Sequence, residues 1–312
     1  MNKYTFIEGL PAKPYKSVFE RFLFNEDRHR SSQSEKNWNT FSFIDEHAGQ
    51  IVAQIHFCIV DGIALSPCNA PFGSIEFAEE LDTESFAFFL NEVEKRLKAI
   101  GVKKIVIKDT PHQYRPHQST LLSVLLLNHG FTIRGHEINS AIVVDTVDWE
   151  NKIPQAKLRN LKRCRKEKLE FRCLGVERLS EIYQFIESCR RERGVTLSMS
   201  LARLQQTIDY CKDDFILFGV YQQDELVAAS ISVRVNERIV YNFYPAHAKK
   251  TDSLSPLVFL IDNEYQYCRE RNIGLIDLGT SMLSGEINFS LLNFKTQLDG
   301  KPSLKLTFEK DI

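Results

Sequence analysis

Residues 89–110 read FLNEVEKRLKAIGVKKIVIKDT and residues 259–280 read FLIDNEYQYCRERNIGLIDLGT. The two stretches lie on each other without a gap. In each, a helix-period segment (83–100, then 256–271) leads through a short basic or polar link into a compact β run, Ile105-Val106-Ile107 or Leu275-Ile276-Asp277. Few aligned positions are identical, so the correspondence rests on pattern.

Working outward, the pattern extends on both sides. Upstream, Ile51 to Gly62 matches Leu226 to Glu237: each is a β-rich run ending in a two-residue turn, followed by a second run, Ile63 to Pro67 or Arg238 to Tyr244. Thr40 to Ile44 leads the first copy and Phe215 to Tyr221 the second, which predicts an antiparallel meander in each. Downstream, a helix and a strand follow, at 118–129 and 131–144 in the first copy and at 287–296 and 303–309 in the second. An internal period of about 170 residues organises the chain. The expected class is α/β (α+β), with two tandem units, each a mixed, largely antiparallel sheet flanked by helices.

A chain of 312 residues fits two such domains. Strand character stops near Val144–Pro154, so the expected division is 1–150 and 151–312, and the stretch from Lys157 to Met199 adds helices before the second meander.

Composition excludes several function classes. Forty basic residues against 41 acidic ones create no general attraction for nucleic acid or membrane. No apolar run approaches the ~20 residues of a membrane span, and the opening residues lack a signal-peptide core, so no membrane insertion and a cytoplasmic location are expected. Seven irregularly spaced cysteines without a CxxC pair suggest buried or half-buried thiols, not a disulfide framework or a zinc site. No metal is expected; His112 and His117 stand without a nearby carboxylate or thiol.

The order of elements resembles the GNAT superfamily, and the doubling resembles its FemABX-like branch, in which two units are fused and the known activity is a peptide-bond-forming transfer. The matching residues lie mainly in the second half. Leu158-Arg159-Asn160-Leu161-Lys162-Arg163 resembles the basic helix that introduces the branch's second unit. Asp277-Leu278-Gly279-Thr280 resembles its D-x-G strand end. Phe294-Lys295 followed by Gly300 resembles its F-K-x-x-x-G signature, with the glycine one residue later than the common spacing. In the first half, Ser66 to Gly73 sits where the branch has a Pro-rich loop.

The resemblance implies an N-acyltransferase that passes an acyl or aminoacyl group to a small-molecule or peptide-like amine. Such a transfer needs a neutral amine, a place for the carbonyl oxygen's developing charge, and orientation of both reactants. In a GNAT-type sheet two strands splay apart to open a cleft. Here that cleft is expected between the ends of Tyr241-Asn242-Phe243-Tyr244-Pro245 and Leu275-Ile276-Asp277.

Tyr244, Asp277 and Lys295 are the catalytic candidates. Tyr241 or Tyr244 can stack on an acceptor or protonate a leaving group, or simply fill a core. Asp277 interrupts an apolar strand, and either orients an amine or caps the turn into Gly279. Lys295, by the resemblance, neutralises a substrate phosphate or an oxyanion; a solvated lysine is the plain alternative. Tyr241, Asn242, Thr280, Ser281, Asn288, Phe294, Arg159 and Arg163 complete the substrate-binding candidates.

The donor is open between acyl-CoA and aminoacyl-tRNA. CoA-dependent GNAT enzymes cradle the pyrophosphate in a glycine-rich loop at a helix N-terminus. The corresponding loop, Ala246 to Pro256, has no glycine; Ser255 and Pro256 read as a helix cap and first turn, and Lys249 and Lys250 are its cofactor-binding candidates. In the first copy the loop carries Glu76, Glu79, Glu80 and Asp82, which would repel a pyrophosphate, so that unit reads as structural or acceptor-orienting. Seven of the twelve residues from Lys157 to Lys168 are Lys or Arg, a patch open to a transfer RNA, to a substrate pyrophosphate or to solvent. Without a recognisable nucleophile, an enzyme and a non-catalytic binding module that kept the fold both remain as readings.

Overall fold

The structure, a computed structural model, describes residues 3–9, 11, 13–34 and 38–312. Its contacts divide the chain into two units, Met1–Glu137 with Leu304–Ile312, and Ile138–Ser303.

The first unit runs β1 (Thr5–Glu8), β2 (Lys16–Ser17), α1 (Asp27–Gln33), β3 (Trp38–Asp45), β4 (Gln50–Val60), β5 (Ile63–Ser66), β6 (Glu76–Phe77), α2 (Thr83–Ala99), β7 (Lys104–Lys108), α3 (Pro116–Asn128) and the start of β8 (Thr132–Val143). Strands β3, β4 and β5 form the antiparallel meander. Its β4–β5 turn is Asp61-Gly62, both at positive φ (51° and 76°), the backbone a two-residue hairpin turn requires. Helix α2 then carries the chain back so that β7 lies parallel to β5. Asp82 caps α2 by accepting from Ser85 N. Phe86, Phe89, Leu90, Val93 and Leu97, spaced as one helical face, bury against Phe41, Phe43, Ile55 and Phe57 of the sheet.

The second unit holds the end of β8, then α4 (Gln155–Lys166), β9 (Leu169–Leu174), α5 (Leu179–Arg191), α6 (Leu201–Tyr210), β10 (Phe215–Gln222), β11 (Glu225–Asn236), β12 (Ile239–His247), α7 (Pro256–Glu270), β13 (Leu275–Thr280), the hairpin β14 (Met282–Leu283) and β15 (Glu286–Ile287), α8 (Phe289–Thr296) and the start of β16 (Lys301–Asp311). Its sheet order is β9-β10-β11-β12-β13-β8. Only the β12–β13 pair is parallel. Leu161, Val220, Val240, Val258, Leu260, Tyr265 and Ile276 form its core with α4 and α7.

The expected order of strands and helices is present in both halves, and the class is a mixed α/β fold with a mostly antiparallel sheet. The last strands are divided otherwise than at residue 150. Thr307 to Asp311 of β16 pair with β7 in the first unit, whereas Asn139 to Val143 of β8 pair with β13 in the second. The packing reason is visible in β16: Leu306 and Phe308 alternate inward and join Ile105 and Ile107 in the first core. Two further readings change. Glu76 is no loop residue but a buried member of β6, and Cys173 is exposed. No helix among the described residues is long and apolar enough to cross a membrane.

Candidate active site

Strands β12 and β13 run in register through Ile239↔Leu275, Val240↔Ile276 and Tyr241↔Asp277, and no further. Beyond that point β12 continues six residues to His247 against β11 alone, while β13 continues to Thr280 beside β8. Two local irregularities part them. A bulge sets Ile231 and Ser232 opposite Tyr244 and Asn242, with Phe243 as the extra residue, and so bends β12. At the end of β13, Gly279 takes φ +74°, a left-handed conformation that a side chain would strain. The expected splay is therefore present within the second unit.

The mouth of this splay is organised by Asp277 and Lys295. Asp277, 3% exposed, accepts from Gly279 N at 2.7 Å and from Asn139 Nδ2 at 2.7 Å. The carboxylate does cap the turn, and it also ties β13 to β8. Lys295, in the last turn of α8, is no solvated lysine: it is 6% exposed and donates to Gly279 O at 2.8 Å and Thr280 O at 2.7 Å. Burial lowers its pKa to about 8, with the Asp277 charge opposing the shift and the Arg190 charge adding to it. An ammonium has three N–H groups, so one donor remains beyond the two carbonyls. The late glycine is accommodated by Asp299 at φ +66°; Gly300 N then closes on Lys295 O at 2.9 Å, where a Cβ would meet that oxygen at 2.7 Å.

Around this pair, Tyr241 lays its ring over Gly279. Thr280 Oγ1 and Ser281 Oγ, both buried, have no hydrogen-bond partner among the described residues, and neither does Ser140 Oγ of the neighbouring β8. Tyr244 is 5% exposed, its hydroxyl within 2.5 Å of Ser198 Oγ and accepting from Met199 N at 3.1 Å. It anchors the segment between α5 and α6. Arg190 of α5 donates to Pro245 O at 3.1 Å. Burial lowers its pKa while the Tyr244 and Tyr241 hydroxyls oppose the shift, which puts the guanidinium within electrostatic reach of the same tyrosines and of Lys295. Arg190 is not among the residues the sequence singles out; its lone local clue is its place as a basic residue in the last turn of an amphipathic helix.

No protein-family model matches the chain, and no curated protein sequence does. Solved structures do match. FemX superposes with a TM-score of 0.72 at 14% identity, covering 93% of this chain and 92% of its own. A conserved protein of unknown function from Bacteroides thetaiotaomicron gives 0.59 at 11% identity, over 94% of this chain and 93% of its own. L-PGS from Bacillus licheniformis gives 0.57 at 15% identity, over 90% and 85%. This is a GNAT-like fold of the FemABX type.

Within the FemABX-type fold, several candidates stand away from the splay. Asn242 faces α7, where its Nδ2 donates to Glu264 Oε2 at 2.6 Å; Ser232 Oγ donates to the other carboxylate oxygen at 2.8 Å. Glu264 is fully buried, which raises its pKa to about 7 against the effect of those two hydrogen bonds. Asn288 is spent as the cap of α8, accepting from Leu291 N at 3.0 Å. Phe294 is half-buried with Lys157 Nζ 4.7 Å above its ring. On α4, Arg163 donates to Ser253 O at 2.7 Å and Arg165 pairs with Glu150 and Asp262, while Arg159 is exposed.

The loop before α7 is closed on itself. The amides of Thr251, Asp252, Leu254 and Ser255 all donate to carbonyls within residues 248–252. Ser255, at φ +56°, turns its hydroxyl back to Asp252 O at 3.3 Å and caps no helical amide, contrary to the expected cap, while Pro256 does open α7. Lys249 is exposed and Lys250 pairs with Glu225.

Proposed function

We propose that the chain is an N-acyltransferase that moves an acyl or aminoacyl group onto an amine, with the splay between β12 and β13 as its site. The observation that carries the reading is the Lys295 ammonium, desolvated and fixed by two backbone carbonyls at the point where the strands part. In the transfer, the neutral amine attacks the acyl carbonyl carbon and negative charge develops on its oxygen. The leaving oxygen or sulfur then departs as the amine's proton is lost. A fixed cation in a water-poor site stabilises that oxyanion, or a phosphate of the donor, more than a mobile one does. Asp277 sets the turn that presents Gly279 O and Thr280 O to Lys295, and Tyr241, Thr280, Ser281 and Arg190 bind the reactants.

The self-closed loop before α7 leaves those amides no vacancy for a pyrophosphate, which favours an aminoacyl-tRNA over acyl-CoA as donor, as the FemABX resemblance implies. The first unit serves as scaffold or acceptor guide, and the protein works in the cytoplasm. The same internal satisfaction favours a second reading, a binding module without turnover, because the polar groups of Asp277 and Tyr244 are already engaged.

Mass-spectrometric detection of amide product, from aminoacyl-tRNA mimics or acyl-CoAs offered with amine-bearing cell-wall precursors, tests the reading. Product lost on Lys295→Met supports the transferase; thermal stabilisation by a ligand without product supports the module.

A further inference from the structure

The first unit holds a second charged cluster that no part of the transfer chemistry uses. Lys108 ends β7, and its register partner on β16 is Thr307. Two residues before Thr307, and so on the same face, stands Lys305. Strand β8 flanks β16 on its other side and contributes Glu137. Both lysines meet one oxygen: Lys305 Nζ lies 3.0 Å and Lys108 Nζ 3.9 Å from Glu137 Oε2, and neither contact has hydrogen-bond geometry.

Two cations therefore share one carboxylate. Lys305 is 8% exposed at its side chain and Lys108 32%, so the surplus positive charge is partly withdrawn from water yet reachable. Burial and the neighbouring Lys305 charge lower the Lys108 pKa; Glu137, despite burial, is held low by Lys305 and Lys108. Gly135, two residues from Glu137 on β8, bears no side chain, and a Cβ there would lie 3.9 Å from Thr307 Cβ. Half-buried Thr307 stands on this face, opposite Lys108 in the register and two residues from Lys305.

We propose that this cluster is an oxyanion-binding site, in which Lys108, Lys305 and the Thr307 hydroxyl hold a phosphate or carboxylate group and Glu137 competes with it for the lysines. A second anion converts a cluster of two positive charges and one negative into a balanced set, which removes the cost of leaving a desolvated ammonium half-paired. The site is independent of the transferase reading, since it uses other residues and needs no turnover.

Isothermal titration and thermal unfolding with inorganic phosphate, and separately with malonate, at constant ionic strength test it. Wild-type protein is expected to bind at least one of the two. Binding of malonate alone supports the site and assigns it a carboxylate. Lys108→Met and Lys305→Met are each expected to weaken binding tenfold or more, and Glu137→Gln to strengthen it severalfold. Lys95→Met, 73% exposed at its side chain, leaves it unchanged. If Lys305→Met fails to fold, Lys108→Met and Glu137→Gln decide. Absence of binding by both anions, undiminished affinity in Lys108→Met, or weaker affinity in Glu137→Gln overturns the proposal.

Discussion

The Tyr241 ring lies against Gly279, so closely that a Cβ at position 279 would sit 3.1 Å from Tyr241 Cε2. The glycine's left-handed φ of +74° adds a backbone penalty to that crowding. Gly279→Ala should therefore cost about 1–2 kcal/mol from the backbone alone, and urea unfolding should report at least that loss. An unchanged midpoint would mean that β13 ends in another conformation.

Lys295→Met should lower the transfer rate by roughly 10²–10³-fold if the ammonium meets developing charge. With a pKa of about 8, the wild-type side chain is charged below that pH and neutral above it. The rate should fall as pH rises through about 8, and that limb should vanish from the pH profile of the Met variant.

Glu264 predicts an unusual slope of stability with pH. Its folded pKa is raised to about 7, so between the unfolded value of about 4.3 and 7 the native state holds the extra proton. Stability from this group is present below about 4.3 and declines as pH rises to about 7, by on the order of 3 kcal/mol. Glu76, raised to about 7 by burial in the first unit, acts in the same sense. Glu264→Gln and Glu76→Gln should each flatten the melting temperature between pH 5 and 7.5; parallel curves for variant and wild type would discard the assignment.

Tyr244→Phe removes the hydroxyl that Met199 N and Ser198 Oγ share. A loss of about 1 kcal/mol is expected, and hydrogen exchange should rise in residues 195–200 while α7 stays protected. Faster exchange spread evenly over the unit would contradict an anchoring role.

In the first unit, Arg115 donates to Asp109 Oδ1 at 3.3 Å, with 3% and 0% of the two side chains exposed. Asp109→Asn or Arg115→Met alone should destabilise by about 3–5 kcal/mol, because each strands a buried charge. The double variant should lose less than the sum of the two, measured by denaturant unfolding.

Periodicity made α2 legible, since it buries one face at a regular spacing, whereas β4, β11 and α7 are buried along most of their length and show in the sequence as apolar runs between turn signals. It failed where that spacing breaks. Asn242 and Tyr244 are two residues apart and should share a face of β12, yet Asn242 meets Glu264 and Tyr244 meets Ser198, because the bulge inserts Phe243 between them. Arg190 was missed for a different reason: it reaches the site from α5, over 50 residues before Tyr244, and nothing local marks a side chain that works at such sequence distance. The elements β1, β2 and α1 are too short to leave a periodic trace. The ownership of β8 and β16 was illegible because an alternating strand satisfies either sheet edge equally well.

That division of the last strands has a consequence for how the protein comes into being. Translation delivers residues in order, and a nascent domain ordinarily settles before its successor is made. Here β7 must wait through the synthesis of all of Ile138–Ser303 before the part of β16 that pairs with it exists. The earlier half is thus finished last, and a ribosome stalled anywhere in between would leave it with a raw hydrophobic edge for a chaperone to shield.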